Sequence, residues 1–124
     1  MSILIDTQAL VWIAVGSERL SDGARDAIVD GTARLCVSAV TAYEFVDLNG
    51  RGRFGTDLPL RDLLDRLDAE VLNFPAEAWV VAGHLPDLHR DPVDRMLVAH
   101  AISADMTLMT ADATIRRYPV RSLW

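Results

Sequence analysis

The stretch His89-Arg90-Asp91-Pro92-Val93-Asp94-Arg95-Met96-Leu97-Val98-Ala99-His100-Ala101 decides how this chain is read. Asp91 stands where a helix N-cap belongs, and Pro92 fits the first helical position, where its missing N–H costs nothing. Val93, Met96, Leu97, His100 and Ala101 then recur at helical spacing, which predicts a mostly buried helix. Asp91 and Asp94 lie three residues apart, so the first turn carries two carboxylates on one face, beside backbone N–H groups that already favour negative charge. That is half of a metal site. The same pair also reads as plain capping, with Asp91 as the cap and Asp94 serving the dipole, so this stretch by itself leaves both readings open.

Working outward, the 124 residues predict one domain, 1–124, with a core that needs no staples. Hydrophobic residues make up 51% of the chain, which excludes a disordered protein. The longest apolar run, Ala9 to Val15, is too short to span a bilayer, and the N-terminus lacks the basic start of a signal peptide. A cytoplasmic protein with no membrane association is therefore expected. The single cysteine, Cys36, lies in an apolar stretch and reads as a buried, inert thiol. The net charge of -6 argues at first sight against a nucleic-acid partner. That argument weakens if several acids belong to a cation site, because the 12 basic residues, all arginine, can still form a local track. The absence of lysine excludes a P-loop, a receiver-type phosphoacceptor and a Schiff-base enzyme, each of which needs one.

Towards the N-terminus, Ile3-Leu4-Ile5 reads as a strand that ends on Asp6, followed by a helix through Trp12 and Ile13. An acid at a strand's carboxyl end is a site candidate in an open α/β sheet, although Asp6 or Thr7 also serves as a helix cap there. Ser21 opens a second helix, closed by Gly31. Leu35-Cys36-Val37 is the next strand, and Ser38 caps a helix bearing Glu44, an acid set among Ala42, Tyr43, Phe45 and Val46. Asn49 to Leu58 reads as a loop in which Arg51 and Arg53 are placed to meet phosphates or simply water. Leu60, Leu63, Leu64 and Leu67 predict an amphipathic helix with its charges in solvent. Glu70 to Asn73 reads as a third strand, and Pro75 as the opening of a helix carrying Trp79 that ends at Pro86. Beyond the quoted helix, Thr107 to Thr110 is a strand leading to Asp112, and Val120 to Leu123 a last one.

This alternation predicts an α/β fold with a central parallel β-sheet flanked by helices on both faces. Right-handed crossovers bring all strand carboxyl ends to one edge, so Asp6, Glu44, Asp94 and Asp112 converge there from distant parts of the chain. Clustered carboxylates repel one another and stay ionised only when neutralised, most simply by a hard divalent cation such as Mg²⁺ or Mn²⁺. Such ions lower the pKa of bound water and stabilise charge on phosphate, which points to phosphodiester hydrolysis. Competing sites are weaker. His84, His89 and His100 lack the cysteines or the H-E-x-x-H spacing of a zinc site, and His100, on the apolar stripe, reads as a core histidine. No G-x-S-x-G is present, and 6% aromatics is thin for the platform of a glycosidase.

Four segments in order, Leu4-Ile5-Asp6-Thr7, Ser38-Ala39-Val40-Thr41-Ala42-Tyr43-Glu44, His89 to Ala99, and Thr110-Ala111-Asp112 before Tyr118-Pro119-Val120, resemble a PIN domain of the VapC type, the toxin of a bacterial toxin-antitoxin pair. The resemblance covers essentially the whole chain. It implies a Mg²⁺-dependent endoribonuclease, often a homodimer, held inactive by a small VapB-type antitoxin whose tail enters the active-site groove. By position, Asp6, Glu44, Asp94 and Asp112 match the family's metal-binding acids and Asp91 a supplementary one. The chain differs at Gln8, where related chains often carry His, and at Tyr43, where Trp is frequent. The other hypothesis is a PIN-like partner-binding module with a weak or vestigial metal site; the presence of all four acids favours the nuclease.

Overall fold

The computed structural model describes residues 1–55 and 57–124. Five strands, β1 (Ser2–Ile5), β2 (Arg34–Ser38), β3 (Glu70–Leu72), β4 (Thr107–Met109) and β5 (Ser122–Leu123), form one sheet in the order β3-β2-β1-β4-β5. Every pair is parallel, with Leu4 opposite both Cys36 and Leu108. The chain thus starts in the middle, winds outward through β2 and β3, then returns to the other side of β1 for β4 and β5. The reversal leaves a crevice beyond the carboxyl ends of β1 and β4, where an open α/β sheet gathers its ligands.

The helices are α1 (Thr7–Val15), α2 (Asp22–Asp30), α3 (Ala39–Gly50), α4 (Leu60–Leu67), α5 (Ala78–His84) and α6 (Pro92–Ser103). Right-handed crossovers put α1 to α4 on one face and, after the reversal, α6 on the other. The side chains follow the twofold period of a strand. Ile3, Ile5, Leu35, Val37 and Met109 pack with Leu10, Ala24, Phe45 and Leu63 on the first face. Leu4, Cys36 and Leu108 pack with Leu97, Val98, Ala101 and Ile115 on the second. Both faces are dry, which is why these strands are apolar throughout rather than alternating. Full burial of a side chain such as Leu97 or Leu108 contributes roughly 1.5–3 kcal/mol.

The parallel α/β sheet expected from the sequence is the observed one, and Cys36 and His100 are buried as expected. Local chemistry shifted three boundaries. The last helix before the acidic turn begins at Ala78 rather than Pro75, because residues 75–77 form a turn in which the Pro75 carbonyl accepts from the Ala78 N–H at 3.0 Å. Asn49 and Gly50, expected in a loop, belong to α3, whose end is extended by the Arg51 N–H bonding the Asp47 and Leu48 carbonyls and by an Arg51–Asp47 ion pair. Thr56 of that loop lies outside the described residues. The last strand starts at Ser122, since the Val120 N–H turns back to the Tyr118 carbonyl. Among the described residues no helix is long and apolar enough to cross a membrane.

Candidate metal centre

An open cleft of about 460 Å³ lies over the reversal of the sheet, and its walls include Asp6, Glu44, Asp94 and Asp112. Four elements supply them. Asp6 directly follows β1 and its N–H extends the ladder to the Met109 carbonyl at 3.1 Å. Its side chain also caps α1, Oδ1 accepting from the Ala9 N–H at 2.7 Å, so the capping and site readings of this residue hold together. Asp112 follows β4 and precedes a 3-10 turn, Ile115–Arg117, with Oδ1 accepting from the N–H groups of Thr114 (2.8 Å) and Ile115 (3.1 Å). Asp94 stands in the first turn of α6, and Glu44 comes from α3.

A buried contact ties those two helices together. Ser38 Oγ accepts from the Val40 N–H at the start of α3 and hydrogen-bonds His100 Nδ1 of α6, 3.0 Å away. Burial pushes the His100 pKa down and keeps this ring a neutral structural group.

The acids do not share one environment. Asp6 is 5% exposed, and burial raises its pKa to about 6 against the opposing hydrogen bonds from Thr110 and Ala9, with Asp112 and Glu44 adding repulsion. Asp94 is likewise raised to about 6, first by burial and then by Asp91, with the nearby His89 opposing. Burial also pushes Asp112 upward, but the N–H of Ile115, the His89 ring and the N–H of Thr114 outweigh it and hold its pKa below the ordinary carboxylate range. One cleft therefore holds two carboxyls that resist ionisation beside one that is readily ionised. Oxygen donors in this state suit a hard divalent cation, which would offset the burial, and the smaller repulsion, that raise Asp6 and Asp94. Thr7, on the same wall, carries a buried hydroxyl with no hydrogen-bond partner among the described residues.

Asp91 is placed apart from the other four. Its side chain is exposed, Oδ1 accepts from the Val93 N–H at 2.9 Å as the N-cap of α6, and it is not among the described residues lining the cleft. Sequence reasoning passed over two groups that touch the acids. The Thr110 side chain bonds Asp6 and accepts from the Asp112 N–H at 3.1 Å, linking the acids that follow β1 and β4. His89 Nε2 lies 3.0 Å from Asp94 Oδ2 and 3.1 Å from Asp112 Oδ2. Its only signal in the sequence was its place two residues before the capping Asp91, where a search for zinc spacing finds nothing.

The family described as PIN domain matches residues 3–120. This chain belongs to the PIN domain family. Among curated proteins it is similar to Ribonuclease VapC22 of Mycobacterium tuberculosis, at 27% identity over 120 residues, covering 94% of this chain and 92% of that protein. Solved structures that share the fold include two from toxin-antitoxin systems. One is VapBC2 from Rickettsia felis bound to a DNA fragment from their promoter, with a TM-score of 0.71 and 18% identity over 98% of this chain and 97% of that one. The other is VapC20 of Mycobacterium tuberculosis, a Sarcin-Ricin loop cleaving toxin, with a TM-score of 0.65 and 18% identity over 92% of each chain. The VapC-type PIN resemblance carried by the four sequence segments is thus the one these comparisons return.

Proposed function

We propose that this PIN protein is a Mg²⁺- or Mn²⁺-dependent endoribonuclease that acts as the toxin of a toxin-antitoxin pair. The observation that carries this reading is the convergence of Asp6, Glu44, Asp94 and Asp112 on one cleft, with Asp6 and Asp94 both raised to about 6, chiefly by burial and further by neighbouring carboxylates. Asp6, Glu44 and Asp94 would hold the cation. Asp112 faces the same cleft with Oδ1 accepting from two backbone N–H groups and Oδ2 lying 3.1 Å from the His89 ring, so it would act on the cation through its charge and the remaining lone pair of Oδ2. Asp91 contributes the cap and a field that raises Asp94. When bound, the cation supplies an acidified water and charge stabilisation on the phosphate. The protein's own part is to fix the carboxylates on rigid strand and helix ends, keep Asp6 out of bulk water, and offer exposed arginines to the RNA backbone. Arg53 is one such arginine, next to Phe54 on the cleft wall.

The toxin role rests on the similarity to VapC22 and to VapBC assemblies, and it implies a small VapB-type antitoxin, a homodimeric toxin and a cytoplasmic setting. A carboxylate cluster attracts a guanidinium as readily as a cation, so an arginine of the antitoxin tail would suit this groove. Purified protein should cleave RNA with Mg²⁺ or Mn²⁺ and lose all cleavage in excess EDTA; undiminished cleavage in EDTA would remove the metal mechanism. The alternative is a partner-binding module with a weak site, and one observation favours it. An apolar groove between α3 and α6, lined by Val40, Tyr43, Val93 and Met96, adjoins Glu44. A module of that kind would bind Mn²⁺ feebly and leave RNA intact.

A further inference from the structure

We infer that His89 is a positioning residue of the cleft: its Nε2–H grips Asp94 and Asp112 together from outside the cleft, and the ring is not itself a ligand. The inference rests on the reading of the cleft as a cation site and adds a residue to it. Taken by distance alone, His89, Asp94 and Asp112 resemble a ligand triad, since one donor atom from each lies within 4.8 Å of the others. The hydrogen bonds around the ring argue against that arrangement. The backbone N–H of Asp91 donates to His89 Nδ1 at 3.1 Å, so Nδ1 is the acceptor and a neutral ring carries its proton on Nε2. That proton then lies between Asp94 Oδ2 at 3.0 Å and Asp112 Oδ2 at 3.1 Å, both acceptors in their ionised form. A nitrogen that holds a proton has no lone pair for a cation. Ligation through Nε2 would require the proton to move to Nδ1, where it would oppose the Asp91 N–H.

Placement agrees with this. Asp94 and Asp112 line the cleft with Asp6 and Glu44, whereas His89 is not among the described residues of its wall. The backbone that carries the ring is also held, because the His89 N–H donates to the Tyr118 hydroxyl at 2.8 Å and that hydroxyl accepts from Arg95 as well. Arg95 in turn donates to the carbonyls of Pro86 and Ala82, fixing the segment that leads into α6. His89 therefore joins the acid after β4 to the acid on α6, as Thr110 joins the acids after β1 and β4. A donor that orients a metal-facing carboxylate typically alters metal affinity 10–100-fold when lost.

The test compares wild type, His89→Ala and His89→Gln. Nitrogen NMR of the ring is recorded in the metal-free protein and again with Mg²⁺, and Mn²⁺ affinity is measured by electron paramagnetic resonance, with thermal melts as a folding control. The inference expects the Nε2–H form of the ring in both states, a roughly 10–100-fold loss of Mn²⁺ affinity in His89→Ala, and recovery to within a few-fold in His89→Gln, whose amide donates from the Nε2 position. A proton found on Nδ1 when Mg²⁺ is bound would overturn it, as would glutamine being as damaging as alanine, or alanine binding Mn²⁺ as well as wild type. If His89→Ala does not fold, the ring spectrum and the glutamine variant still decide. Wild type failing to bind Mn²⁺ counts against the cation reading, while the metal-free spectrum alone then upholds or refutes the Nε2–H bridge.

Discussion

Helix α4 and the first turn of α6 both concentrate acidic side chains, and they use them in opposite ways. On α4, Asp62 and Asp65 stand exposed beside Arg61 and Arg66, while Leu63 and its apolar neighbours face the core. Their charges stay hydrated and cost nothing to fold. In the first turn of α6, Asp94 is drawn under His89 and close to Asp112, in a cleft shared with Asp6, and burial with its charged neighbours raises its pKa to about 6. The two helices differ in what stands over the acid. An amphipathic helix alone leaves acids in water, whereas a helix whose N-terminus enters the reversal of a parallel sheet brings its acid up against others.

The largest effect that would sharpen this contrast is on cleavage. Asp94→Asn removes a charge from the cleft and should lower Mn²⁺-dependent RNA cleavage by about a hundredfold or more, since the cation supplies several kcal/mol of transition-state stabilisation. Asp62→Asn and Asp65→Asn on α4 should leave the rate unchanged. An equal loss from the α4 variants, read in the same cleavage assay, would break the distinction.

The second effect is on stability against pH in metal-free protein. The folded-state pKa values of Asp6 and Asp94 lie above the ordinary value, so the native state binds protons more readily than the unfolded chain between about 4 and 6. Their contribution is present in full below that window and is lost as pH rises through about 6. A rise of this size corresponds to roughly 3 kcal/mol per group as a ceiling. Denaturant melts should show the metal-free protein more stable at pH 5 than at pH 7.5, with Asp94→Asn flattening the difference and saturating Mn²⁺ offsetting it. The α4 variants should leave that slope as it is. Stability that rises from pH 5 to 7.5 without metal would contradict the strained-acid account.

The smallest effect concerns the neighbour of Asp94. Asparagine caps a helix about as well as aspartate, so Asp91→Asn should change stability by less than ~0.5 kcal/mol and leave most of the cleavage. If Asp91→Asn abolishes cleavage while Asp94→Asn spares it, the two roles are exchanged.

Much of this site was legible in the sequence because each of its acids follows a local signal. Asp6 and Asp112 end apolar strand runs, Asp94 follows a cap and a proline, and Glu44 interrupts an apolar stretch, so one topological rule gathered all four. The choice between cap and ligand at Asp91 was not legible, because both need an acid at that position; the structure shows the exposed carboxylate capping α6 through the Val93 N–H. His89, Thr110 and Tyr118 were missed for another reason. Their roles depend on contacts with residues brought close by the fold, His89 reaching Asp112 and Tyr118 across more than twenty positions, and no periodicity marks such pairs. The start of α5 moved to Ala78 because Pro75 sits in a turn, a conformation proline allows as readily as a helix start.

The central claim, that these carboxylates form one divalent-cation site, is tested most directly by titrating Mn²⁺ into the metal-free protein at neutral pH and following the free-ion paramagnetic signal. Wild type should remove Mn²⁺ from solution in a saturable manner, and the Asp6→Asn/Asp94→Asn double variant, confirmed folded by its melt, should leave the signal at its protein-free level. Equal Mn²⁺ uptake by both proteins would contradict the account.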